Sequence, residues 1–174
     1  MSRAVFALAL LFSTLSATTA GIAQPSAPTC QSVREQDPDT GALVQKTRLS
    51  PKPFSFDPLL VWTSDDPDSL MLVAVGNGNQ LKYTGCYDLS LRADGQPIPL
   101  SRLRHDNDPS DHKTVVEYVR AEISWADAQK LAAAKTVVYQ ICKDEYVADD
   151  KFVCEAKHVL EVAGNWRRER AGKR

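Results

Sequence analysis

Four cysteines, Cys30, Cys86, Cys142 and Cys154, follow an apolar N-terminal run, and this pairing of features constrains the chain more than any other. Arg3 is the only charge before Cys30, Ala4 to Phe12 is continuously apolar, and Ser16 to Ala23 is small and weakly polar. That is the three-part layout of a cleavable secretory signal. The apolar run is about half the ~20 residues a membrane span needs, so no transmembrane anchor is expected. The small-x-small rule allows cleavage after Ala20 or Ala23, and Ala23 is the better fit. The expected divisions are a signal peptide over 1–23, an extended Pro-rich leader over 24–56, one globular domain over 57–166 and a basic disordered tail over 167–174. A buried N-terminal helix and a lipid-modified Cys30 are the alternatives. Ala27-Pro28-Thr29 lacks the Leu and small-residue pattern expected before a lipidated cysteine.

Export places the chain in a periplasmic or extracellular, oxidising compartment, where an even cysteine count reads as two disulfides. Sequence alone allows three pairings. Cys86 and Cys142 fall on the polar faces of well-alternating segments, and Cys154 lies opposite the apolar stripe of a helix. Unpaired cysteines are usually buried as small hydrophobes. Their placement favours Cys86–Cys142 across neighbouring strands and Cys30–Cys154 clamping the leader to the last helix. The rival is Cys142–Cys154 with Cys30–Cys86.

Charge narrows the partners. The tail Arg167 to Arg174 carries five basic residues and one acidic, whereas Gln24 to Trp166 carries 15 basic and 21 acidic. An acidic body argues against nucleic acid, whose phosphates require a basic face. The expected partner is a protein or an envelope polymer. Oligomeric state is not encoded in any feature of the sequence.

Element by element, Pro58 to Thr63 and Leu70 to Val75 read as strands, and a short strand is expected near Ala42 to Leu49. Asn77-Gly78 matches a type I′ hairpin turn. It would set Ala74 opposite Leu81 and Leu72 opposite Tyr83, in a third strand over Gln80 to Arg92. Gln96 to His112 is polar and proline-broken, hence a loop. Thr114 to Ile123 is a strand, with Val115, Val119, Ala121 and Ile123 on one face. Ser124 caps a short helix to about Ala134, with Asp127 completing a capping-box variant. Lys135 to Tyr146 returns to strand. Residues 150–163 fit either strand or helix; the cap at Asp149 or Asp150 and the stop at Gly164 favour helix. The expected fold class is α+β: a disulfide-braced antiparallel sheet of about five strands with two helices packed on one face.

Catalytic signatures are not found. There is no Gly-x-Ser-x-Gly elbow and no Gly-rich phosphate loop. Paired cysteines leave no thiol nucleophile. His105 and His112 share one expected loop without metal-ligand spacing. Asp106-Asn107-Asp108-Pro109-Ser110-Asp111 places oxygen ligands at alternating positions, as calcium prefers, but its sixth position is Asp111 where a calcium loop has glycine. No cofactor is expected; calcium is the alternative, with Asp106 and Asp108 as binding residues. Trp166 follows the expected helix stop and is the candidate aromatic for partner contact. The functional expectation is an exported non-catalytic binding or structural protein of the cell envelope or extracellular space. An inhibitor of an extracellular hydrolase, presenting Leu103 to Lys113 as a rigid loop, is a special case. The alternative is a small secreted hydrolase acting on cell-wall or polysaccharide material.

Overall fold

The computed structural model describes residues 30–49, 56–83, 85–86, 88–111 and 114–172, with backbone alone for 108–111 and 114. The expected signal over 1–23 and His112 lie outside the described residues. In chain order the elements are β1 (Val33–Gln36), β2 (Leu43–Lys46), β3 (Phe56–Thr63), β4 (Leu70–Gly78), β5 (Leu89–Ala93), β6 (Gln96–Ile98), β7 (Leu100–Asp111), β8 (Thr114–Ile123), α1 (Trp125–Ala133), β9 (Val137–Ile141), β10 (Asp144–Val147) and α2 (Asp150–Ala171). The strands form two antiparallel sheets, one of six in the order β1-β2-β3-β4-β8-β7 and one of four in the order β10-β9-β5-β6.

Alternation along β3 and β4 explains why they are central. Phe56, Leu60 and Trp62, with Leu70, Leu72 and Ala74, face the main core, while Leu59, Val73 and Val75 form a smaller cluster on the opposite face. The main core is shared with Leu91, Val137, Tyr139 and Ile141 of the four-stranded sheet and with Leu131, Ala156, Val159 and Ala163 of the two helices. A strand buried on both faces carries a near-continuous apolar run, as Leu70 to Val75 does. Among the described residues, the α+β class, antiparallel pairing and two helices are thus as the sequence indicates. The strands are more numerous because two stretches that look irregular are paired.

One of these stretches is the leader, where the short strand expected near Ala42 to Leu49 is present as β2 and β1 is added to it. Residues 33–46 add β1 and β2 to the large sheet, where β2 pairs with β3. Gln45 and Thr47 are buried, and the Leu60 N–H donates to Thr47 Oγ1 at 3.1 Å. The sheet therefore begins well before the expected boundary at Asp57. Helix α2 holds this edge through one face. Cys154 is bonded to Cys30 with Cα atoms 5.3 Å apart. The Arg48 N–H donates to Glu155 Oε2 at 2.6 Å, and His158 Nδ1 accepts the Ser32 N–H at 3.1 Å.

The other stretch is 96–112, expected as a loop, which supplies β6 and β7. Strand β7 is a sheet edge: Ser101, Arg102, Arg104, Asp106 and Asn107 are exposed while its backbone pairs with β8. Charged residues and bulges are how sheet edges avoid further pairing. Register shifts occur between Ser101 and Arg104 and between Asp108 and Asp111, and Arg102 has φ of 50°. The described part of 103–113, expected as an inhibitory loop, is accordingly one arm of a β-hairpin.

Three further expectations change. Asn77 and Gly78 are not a turn but the end of β4, paired with Val116 and Val115 of β8. A long ladder with a distant partner overrides the local turn signal. Among the described residues of the expected strand 80–92, only those from Leu89 onward are strand. Lys135 to Tyr146 splits into β9 and β10, with Ile141 opposite Asp144 and Cys142 at φ of 56° in the turn.

Both helices start where their caps indicate. Ser124 accepts from the Asp127 N–H and Asp149 from the Phe152 N–H. Helix α2, however, passes through Gly164 and ends at Ala171. Residues 167–171 of the expected disordered tail are helical. Arg167 reaches Asp68 at 2.7 Å and lies over the Trp125 ring at 4.6 Å, and Arg170 lies over Trp166 at 4.5 Å. These contacts give the helix end a surface to pack on, so the glycine does not stop it.

Candidate functional site

A cavity on which polar groups converge lies where β4 and β8 run past β3. Gly76, Asn77 and Gly78 of β4 form one wall, continued by Asn79, Gln80 and Lys82. Val115 and Glu117 of β8 form another, and Phe56 of β3 closes the end. The cavity they bound is about 300 Å³. Phe56 lies across Gly76, and a side chain there would collide with its ring.

Glu117 organises this site. It occupies an inward position between Val115 and Val119 on β8, and its side chain is 4% exposed. Oε1 accepts the Tyr83 N–H at 3.0 Å and Oε2 accepts the Lys82 N–H at 3.0 Å. His105 Nε2 lies 2.7 Å from Oε1, with the imidazole 7% exposed. Backbone donors from a segment without strand pairing are thereby satisfied by one carboxylate, as buried polar groups require. The described residues of 79–88 are held as a wall by this side chain rather than by a ladder.

A second anchor lies beyond it. Lys82 Nζ donates to Tyr146 Oη at 2.6 Å and is 3.1 Å from Asp144 Oδ2. The Tyr83 phenol donates to Asp144 at 3.0 Å and lies 2.5 Å from Tyr146 Oη. The Tyr83 ring packs on Phe56 at 4.9 Å between centroids, and Tyr139 stacks on Tyr146 at 5.2 Å. The third anchor is the Cys86–Cys142 disulfide, with Cα atoms 6.1 Å apart and the Cys142 N–H donating to the Asp88 carbonyl at 3.0 Å.

These contacts set the charge states. Hydrogen bonds from Lys82 and then Tyr83 hold the Asp144 carboxyl below its ordinary range. Burial works against the Lys82 ammonium, but hydrogen bonds with Tyr146 and Asp144 outweigh it and raise its pKa. Burial, then hydrogen bonding to Tyr146 and Asp144, pushes the Tyr83 phenol well up. The rim is thus a fixed ammonium–carboxylate–phenol cluster that keeps its charges across the neutral range.

The residues singled out in the sequence are not brought together here. Trp166 is half-buried, edge-on to Trp62 at 5.3 Å. Asp106 is exposed on β7 opposite Tyr118, 3.4 Å from Arg120 Nε. Asp108 pairs through its backbone with Val116, and its side chain is outside the described residues. Among the described residues, no group of three or more His, Cys, Asp or Glu side chains is placed to hold a metal ion. His105 is not the exposed loop histidine its polar neighbours suggest but the buried partner of Glu117. A glutamate in the apolar alternation Val115, Val119, Ala121, Ile123 is the signal that marks the site. Scans against protein-family models, curated proteins and solved structures found no match to this chain.

Proposed function

We propose that the protein is an exported, non-catalytic binding protein of the cell envelope or extracellular space, and that the Glu117 pocket is its contact site. The observation that carries this reading is the anchoring of the pocket wall. Glu117, the Lys82–Asp144 pair and the Cys86–Cys142 bond fix the same short segment at three places. A wall fixed before a ligand arrives reduces the ordering cost of binding. Glu117 is positioned by donors of its own chain, which suits a structural and recognition role better than proton transfer. Two disulfides fit an oxidising compartment. No helix among the described residues is long and apolar enough to cross a membrane.

The test is capture from envelope and culture-medium extracts on the immobilised, fully oxidised protein, with Val115→Trp as the comparison bait. A defined partner or polymer retained by the wild type and lost on filling the pocket is the expected result. Multiple-turnover release of products from cell-wall or polysaccharide material by the purified protein would overturn the reading in favour of the hydrolase.

A further inference from the structure

We infer that the Glu117 pocket takes a small neutral ring bearing hydroxyl or amide groups, the chemistry of a single sugar unit. The inference deepens the binding reading above and rests on it.

Size is the first argument. At about 300 Å³ the cavity is at the low end of ligand pockets, which run roughly 300–1,000 Å³. It suits one ring rather than an extended chain.

The second argument is unused acceptor capacity. A carboxylate offers about four lone-pair sites. Among the described residues, Glu117 Oε1 takes Tyr83 and His105, whereas Oε2 takes Lys82 alone. A buried oxygen on the cavity wall therefore retains room for one more donor. Asn77, Asn79 and Gln80, all exposed on the same lining, add side-chain amides that both donate and accept.

Charge decides between classes of donor. Glu117 disfavours an anion. The Lys82 ammonium on the rim, and the imidazole and backbone donors already on the carboxylate, leave little gain for a cation. A neutral donor meets neither opposition. Phe56, Val115 and the bare backbone of Gly76 and Gly78 supply an apolar strip beside the polar one. A sugar ring, with its C–H face and hydroxyl edge, matches that division.

The experiment is amide chemical-shift titration of the full oxidised protein with glucose, N-acetylglucosamine, free lysine and inorganic phosphate. The expected result is saturable shifts at Gly76, Gly78 and Asn79 with at least one sugar, at a millimolar dissociation constant, and none with lysine or phosphate. Val115→Trp, and independently the surface variant Asn79→Ala, should weaken that binding about tenfold or more, equivalent to ~1.4 kcal/mol. Sugars that leave the spectrum unchanged, shifts that persist in both variants, or saturable binding of lysine or phosphate instead would overturn it. Inert sugars together with an extract partner still lost in Val115→Trp would overturn the ligand class and leave the binding reading standing.

Discussion

Phe56 occupies the space that any side chain at Gly76 would need. The two residues face each other across paired strands, and the glycine lets the ring lie flat at the end of the pocket. Gly76→Ala therefore forces the ring, and with it the Phe56–Tyr83 contact, to move. The expected cost is about 1–3 kcal/mol, typical of overpacking, read as a lower urea midpoint at unchanged slope.

Gly164 should show the opposite sign. It lies inside α2, and an added Cβ would meet Arg168 and Trp125 at 3.5 and 3.8 Å, ordinary contact distances. Gly164→Ala is expected to stabilise by roughly 0.5–1 kcal/mol, the helix-interior difference between the two residues. A fall in thermal midpoint would show that the helix does not pass through this position as described.

Removing Glu117 strands the Lys82 and Tyr83 N–H groups. Each unsatisfied buried donor costs about 1–3 kcal/mol. Glu117→Ala should therefore lower stability by about 2 kcal/mol or more and speed amide exchange at Tyr83 selectively. Unchanged exchange there would contradict the anchoring role.

The disulfides should contribute unequally. Cys30–Cys154 closes 124 residues of sequence separation and Cys86–Cys142 closes 56. Each double Cys→Ser variant is expected to lose about 2–5 kcal/mol, more for the longer closure. Peptide mapping without reduction checks the pairing directly, and a fragment joining Cys142 to Cys154 would refute it.

Alkaline pH should unfold the protein through buried phenols. Burial first, followed by hydrogen bonds for Tyr83 and by the Asp57 charge for Tyr139, raises both above the ordinary value of 10.0. The folded state then holds its protons longer than the unfolded state. Stability is intact below the unfolded phenol pKa and declines as pH rises above it. Phenolate absorbance should show part of the tyrosine signal delayed until unfolding. A single titration of every tyrosine near the ordinary value, with the fold intact, would contradict this.

What could be read from the sequence divides by the range of the interaction responsible. Ser124 and Asp149 mark helix starts because a cap is satisfied within three residues. The cysteine pairing came out as expected, but only the helix face of Cys154 was read for the right reason: Cys86 precedes β5 and Cys142 sits in the β9–β10 turn, so no strand face places them. Asn77-Gly78 misleads because its local turn preference competes with a ladder to Val115 and Val116, distant in sequence. Strand β7 is hidden because an edge strand with one wet face carries loop-like composition. Glu117 was visible as a charge in an apolar alternation, yet its partners Lys82, Tyr83 and His105 are fixed only by the tertiary fold.

Cys30 and Cys154 stand near opposite ends of the described chain. During synthesis from the N-terminus, Cys86 and Cys142 are both made before the correct partner of Cys30 exists. In the oxidising compartment proposed above, entered amino end first, Cys30 would meet two wrong mates ahead of the right one. The Cys30–Cys154 bond can close only once α2 has been made, so the sealing of the first strand belongs to the final stage of assembly.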